Sequence, residues 1–239
     1  MAHHRPWPAG YQEWRRLLFV HWAVAPDMLR PLVPRRLSID QYAGAAYVGL
    51  VPFFVQAARP IGAPRALGLD FLETNVRTYV HLEGRDPGVY FFSLDAASLL
   101  AVVGARAAFG LPYFYARGRE RRSSDTVDYR LTRIGGRWPR VHVRYSVGER
   151  IGAAAPGTLE HFLIERYVLH VQRGPSLWSV HVRHQPYPLH RVHLLDAHDE
   201  LVGAAGIRVP GEPPLAHFAT GVDVEVFPPR LTARARPAR

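Results

Sequence analysis

Polar and apolar side chains alternate through the segment FLETNVRTYVHLEG, from Phe71 to Gly84. Glu73, Asn75, Arg77 and Tyr79 share one face, and Leu72, Thr74, Val76, Thr78 and Val80 share the other. A period of two predicts a strand. The next apolar run, VYFFSLDA from Val89, predicts a second strand, with the Asp86-Pro87-Gly88 triplet as the hairpin turn between them. Upstream, Trp14–Val24 and Ala43–Val55 read as strands, the second bending at Gly49 and Pro52. Between these two, PDMLRPLVP predicts a short helix starting at Pro26 or Asp27 and ending before Pro34. The Gly/Pro-rich stretch from Arg59 to Asp70 reads as a loop long enough to serve as a lid.

Downstream, AASLLAVVGARAAF predicts a helix capped by Asp95 and stopped by Gly110, with a strand of aromatics after Pro112. RGRERR, from Arg117 to Arg122, reads as an exposed turn before strands at 125–134 and 137–148. Thr158 is placed to cap a short helix through Tyr167, with Glu160 in its first turn. Strands resume at 177–184, 189–197 and 221–227, and His198-Asp199-Glu200 reads as a turn. About ten strands with two or three short helices and many Gly or Pro turns favour a mainly β (α+β) fold, a closed or half-closed antiparallel sheet. The expected boundaries are an N-terminal extension over residues 1–13, one domain over 14–228, and a frayed, basic, Pro-rich tail over 229–239.

Composition narrows the chemistry. The chain has 239 residues, 48% of them hydrophobic, enough for a substantial core. No run of about 18 apolar residues suggests a membrane span, and the N-terminus carries no apolar secretory segment; a cytoplasmic protein is expected. Cysteine is absent, which excludes disulfides, thiolate metal sites and cysteine nucleophiles. All 30 basic residues are arginine, so no lysine is available for imine chemistry. The net charge of +10 raises nucleic acid as a partner, but the arginines are scattered and no nucleic-acid-binding module surrounds them, so that reading ranks low. His181, His184, His190 and His193 lie close in sequence, yet residues three apart on a strand face opposite sides; no metal and no cofactor is expected. GxGxxG, Walker, GxSxG and HExxH motifs are all missing.

Several blocks together resemble a known family. The segment Ala105-Arg106 to Phe109-Gly110-Leu111-Pro112 is similar to the acetoacetate decarboxylase motif G-R-E-x-W-G-x-P-K-K, and Leu29–Asp40 resembles an upstream motif of those enzymes. FLETNVRTYV, GVYFFSLDA, ARAAFGLPY and FLIERY resemble more closely the YqjF-like proteins, placed in the acetoacetate decarboxylase-like superfamily. The likeness runs from about Trp14 to Phe227 and implies a cone-shaped antiparallel β-barrel with an interior pocket. In the decarboxylases the paired lysines after the Pro supply the imine-forming amine; here those positions are Tyr113 and Phe114. The resemblance also puts Glu73 at an acidic strand position, aligns Arg15 with a carboxylate-binding arginine, and puts Tyr47 at a second acidic position.

The candidate site is therefore a polar strand face inside an apolar barrel. Neighbours at i and i+2 lie about 7 Å apart, within reach of one small ligand. Glu73 is the candidate proton-transfer residue, and Arg77, Asn75, Tyr113, Arg15 and Tyr47 are candidate ligand contacts. Tyr113 can donate a hydrogen bond, or it can plug the old amine site together with Phe109, Phe114 and Tyr115. The expected function is binding of a small carboxylate or carbonyl compound. Any reaction would be a lysine-independent lyase or hydrolase step. The alternatives are a structural protein with a filled barrel and a nucleic-acid binder, and a homo-oligomer stays open.

Overall fold

The computed structural model describes residues 7–209 and 215–233. Its sheet has thirteen strands: β1 (Gly10–Val24), β2 (Ser38–Ile39), β3 (Ala46–Pro60), β4 (Leu69–Leu82), β5 (Arg85–Ala96), β6 (Tyr113–Arg122), β7 (Thr126–Arg133), β8 (Arg140–Gly152), β9 (Val168–Arg173), β10 (Ser176–Arg183), β11 (Leu189–Asp199), β12 (Leu215–Val226) and β13 (Arg230–Ala233). The helices are short: α1 (Pro26–Leu29), α2 (Leu99–Phe109), α3 (Leu159–Ile164) and α4 (Leu201–Ala204).

The sheet closes on itself twice. One ring runs β4-β5-β6-β7-β8-β11-β12-β1-β3 and back to β4. A second runs β12-β1-β3-β4-β5-β9-β10 and back to β12. Pairing is antiparallel except where β5 meets β6 and β9 in parallel. The fork is visible in the register. β5 gives Val89 and Tyr90 to β9 but Leu94–Ala96 to β6, and β12 gives 217–219 to β11 but Glu225 and Val226 to β10.

The five-strand wall β12-β1-β3-β4-β5 thus has a core on each face, and the alternation along β4 sorts residues between them. Phe71 and Tyr79 belong to the core of the β9/β10 ring. Val76 and Val80 belong to the core of the β6–β8 ring. Every residue from Glu73 to Val80 is buried, so neither face of this strand meets water. The polar alternation marks an internal polar surface, which explains why so regular a pattern lies at the centre of the molecule.

Several expectations shift. Glu83 and Gly84, both at positive φ, make the β4–β5 turn, so the Asp86-Pro87-Gly88 triplet lies within β5. Asp95 caps no helix: it is a fully buried strand residue, bound by Arg133 through two contacts of 2.5 and 2.9 Å. Ser98 is the cap of α2, its Oγ accepting from Ala101 N at 3.3 Å. The RGRERR run pairs with β7 as strand, and the turn comes at Ser123–Asp125. Helix α3 stops at Ile164, which frees Val168–Arg173 to form β9. The His198–Glu200 turn is instead the end of β11 and the cap of α4. β1 begins at Gly10, within the stretch read as an extension, and β13 pairs Arg230 and Leu231 with β10; residues 1–6 and 234–239 lie outside the described residues.

Candidate functional site

The β9/β10 ring encloses a cavity of about 90 Å³, large enough for a few waters or one small organic molecule. Strand β4 supplies its polar floor of Glu73, Asn75 and Arg77; Tyr113, Arg166 and Tyr187 add further polar atoms, and Phe53, Phe91, Phe109 and Leu111 make apolar wall. No residue of the 61–68 loop lines it, so that segment is not a lid; Ala105 and Phe109 of α2 cover this end instead.

Tyr113 is held in place by its surroundings. Helix α2 ends at Gly110, whose φ of 66° is the left-handed conformation that glycine adopts without strain. A Cβ there would lie 2.4 Å from Arg173 Nε, because Arg173 caps the helix, donating to the carbonyls of Phe109 at 3.0 Å and Ala108 at 2.6 Å. Arg106 Nε donates to the Tyr113 carbonyl at 2.7 Å, and Leu94 N donates to the Pro112 carbonyl at 3.0 Å. The phenol enters the cavity and hydrogen-bonds the Glu73 carboxyl. Phe114, the next residue, turns the other way and lies 3.9 Å beneath the Arg133 guanidinium. Phe92 packs in the second core. Tyr113 is therefore part of the cavity wall, and neither phenylalanine fills the cavity.

Glu73 is 3% exposed. Burial raises its pKa to about 8, against the opposing hydrogen bond from Tyr113, and the nearby Asp95 charge adds to the rise. The carboxyl is thus protonated at neutral pH. Burial also pushes the Tyr113 phenol well above its usual range, so it remains a donor.

Arg77 is 8% exposed. One amino group donates to the Leu163 carbonyl at 3.1 Å, and the guanidinium lies 5.6 Å from the ring centroids of both Phe19 and Tyr79. Its Nε and the Asn75 Oδ1 are buried without a hydrogen-bond partner. Among the described residues no carboxylate comes within ion-pair distance of Arg77. Glu73, being neutral, supplies no counter-charge. An unpaired buried cation is costly, and the cation–π contacts recover only about 1–2 kcal/mol.

Behind Arg77 sits a second polar pair. Tyr79 Oη and His21 Nε2 lie 2.7 Å apart, and burial holds His21 well below the usual histidine range, hence neutral. A Cβ on Gly49, opposite both His21 and Arg77 in the sheet, would come within 3.3 Å of both partners. The glycine meets a space requirement of this pair, and β3 stays in unbroken register with β4 through Gly49 and Pro52, where a bend was expected.

The remaining candidates fall elsewhere. Trp14 and Leu17 line the cavity, while a bulge with Arg16 at φ 53° keeps Arg15 out of it. Arg15 bonds Glu13 at 2.9 Å, Asp223 at 2.6 Å and the Val222 carbonyl at 2.9 Å. Tyr47 packs against Phe162 with ring centroids 6.0 Å apart and is not in the cavity wall. Gln12, Arg166 and Tyr187 are polar wall residues that went unpredicted. Arg166 is anchored by Asp40 at 2.7 Å and by the Phe162 carbonyl at 2.6 Å. The Tyr187 backbone N–H donates to Glu165 Oε1 at 3.0 Å. A Glu-Arg pair following the apolar Phe162–Ile164 run and a tyrosine between two prolines were the available signals.

A doubly closed sheet with a polar pocket beneath a helix–Gly–Pro–strand segment is the acetoacetate decarboxylase-like fold. The structure of acetoacetate decarboxylase from Legionella pneumophila superposes with a TM-score of 0.64 at 14% identity, covering 98% of this chain and 93% of that one. The enduracididine biosynthesis enzyme MppR, solved in complex with pyruvate, gives 0.66 at 16% identity, covering 95% and 91%. By sequence, residues 11–223 match the DUF2071 model of uncharacterised conserved proteins, and the chain belongs to that family. YqjF of Bacillus subtilis (strain 168) is 37% identical over 220 residues, 92% of this chain and 90% of that protein.

Proposed function

We propose that this protein binds a small carboxylate bearing a carbonyl group in the β9/β10 cavity and acts on it by proton transfer without a covalent enzyme adduct. The observation that carries the reading is the buried Arg77 guanidinium, which has an unpartnered Nε and no carboxylate counter-ion, beside a protonated Glu73. A ligand carboxylate would complete the ion pair that the protein leaves open. Asn75, whose Oδ1 is also unpartnered, would accept from a hydroxyl or enol of the ligand.

The chemistry then follows from protonation states. Glu73 can donate a hydrogen bond or a proton to a ligand carbonyl oxygen, and a pKa of about 8 is close to the range where such transfer is efficient. Tyr113 orients the carboxyl. The chain has no lysine, so enol-type stabilisation by Glu73 and Arg77 would replace the imine electron sink. That fits a lysine-independent lyase or hydrolase. MppR, which shares the fold, was solved with pyruvate bound, and this supports the ligand class.

Titration calorimetry with pyruvate and other short oxo acids tests the reading. Binding is expected for the native protein, with at least a hundredfold loss in Arg77→Met. Native mass spectrometry of the freshly purified protein adds an independent check. Equal affinity in Arg77→Met, or a co-purified metabolite seated away from Glu73 and Arg77, overturns the proposal.

A further inference from the structure

The cavity has an apolar annex. A groove of about 350 Å³ lies between α2 and the neighbouring ends of β1, β3 and β4. It shares Gln12, Ala105, Phe109, Tyr113 and Val226 with the cavity wall, so the two spaces meet at a common rim. Beyond that rim the groove is walled by Leu69 and Phe71 on one side and by the helix on the other.

On the helix side Leu100 and Phe109 mark the two ends, and small residues leave the stretch between them open. Ala101, Gly104, Ala105 and Ala108 recur at spacings of three and four, hence on one face of α2. A Cβ added at Gly104 would meet nothing within 4 Å. A helix packed to close the barrel would carry Leu or Phe at these four central positions as well. The polar cleft on another side of the mouth, which includes Glu13, Arg59, Arg183 and Asp223, shares only Gln12 with the cavity and offers charge instead of apolar cover. At the inner end lie the unpartnered Arg77 Nε and Asn75 Oδ1, both on residues more than nine-tenths buried and both lining the cavity.

We propose that the ligand is amphipathic: an oxo acid whose carboxylate meets Arg77 and whose unbranched hydrocarbon or aryl tail passes the Ala105–Phe109 rim into the groove under α2. This rests on the reading of the cavity given above and adds the substrate class. The groove would then be the specificity determinant for chain length, with Ala101 and Gly104 setting the room available to the tail.

Straight-chain 2-oxo acids from pyruvate to 2-oxodecanoate, titrated by calorimetry, provide the test. Each methylene buried is expected to improve the dissociation constant about fourfold, until the groove is full. Ala101→Phe and, separately, Gly104→Phe should flatten this series while leaving pyruvate binding at its native value, which also reports that each variant is folded. A flat series in the native protein overturns the inference while pyruvate binding leaves the cavity assignment standing. A rising series unchanged by both groove variants overturns it as well. Failure of every acid to bind rejects the cavity assignment itself.

Discussion

Glu73 and Arg77 stand four residues apart on one strand face, yet the protein keeps one neutral and the other charged. The cause is asymmetric: burial penalises the carboxylate enough to raise its pKa to about 8, whereas an arginine stays charged in proteins. A raised folded-state pKa has a definite sign. The neutral Glu73 contributes stability that is fully present below the unfolded value of 4.5 and is lost as pH rises through about 8. The melting temperature of the native protein relative to Glu73→Gln should therefore fall between pH 5 and pH 9 by the equivalent of a few kcal/mol, at about 1.4 kcal/mol per pKa unit. Affinity for an anionic oxo acid should be flat below pH 8 and weaken about tenfold per unit above it, since an ionised Glu73 repels the ligand; Glu73→Gln should abolish that fall. Calorimetric titrations across pH decide the point. Arg77 makes the opposite trade. Removing an unpaired buried cation relieves its desolvation, so Arg77→Met should raise thermal stability by about 1–3 kcal/mol while eliminating binding. A melting curve showing marked destabilisation would mean that Arg77 is held by the fold and not kept for a ligand.

At the scale of elements, the segment from α2 to β6 controls the site. Gly110 allows the helix to turn under Arg173, and Tyr113 follows three residues later. Gly110→Ala forces a side chain into the left-handed region and against the Arg173 guanidinium. It should cost about 1–3 kcal/mol of stability and weaken oxo-acid binding by displacing the phenol from Glu73. Unchanged affinity would separate Tyr113 placement from the helix end. This segment also measures what the sequence could reveal. The helix, its glycine stop and the strand after Pro112 were legible because they depend on local stereochemistry. So was the polar face of β4, because a two-residue period survives whatever surrounds it. The cap was misplaced at Asp95 because Asp95 meets Arg133, 38 residues distant, and no local pattern records that contact. Arg15 misled for the same kind of reason: a bulge at Arg16 reverses which residues face inward. The Glu83-Gly84 turn lost to a more conspicuous Asp-Pro-Gly triplet.

At the scale of the molecule, the strand and turn pattern favoured a closed or half-closed sheet, but which strands close it was not legible, since β1 meets β12 across about two hundred residues of chain (Arg15 to Val222 is a separation of 207). Loop-closure entropy rises slowly with length, so such pairings are affordable but leave no local mark. The double closure has a mechanical consequence. The wall β12-β1-β3-β4-β5 carries Arg77 in one core and Val76 in the other, so neither ring keeps its structure if the wall melts. Unfolding should therefore be a single transition, with calorimetric and van't Hoff enthalpies equal. Saturation with an oxo acid at about a hundred times its dissociation constant adds about 2.7 kcal/mol, which moves the midpoint of a chain this size by about 5–10 °C. Val76→Ala, on the face away from the ligand, should cost about 1–3 kcal/mol of stability and so lower that same midpoint without changing affinity. The shared wall predicts one peak displaced in opposite directions by events on its two sides. A thermogram that splits, with ligand shifting one peak and Val76→Ala the other, would show two independent barrels joined by a strand, and coupling through β4 would have to be abandoned.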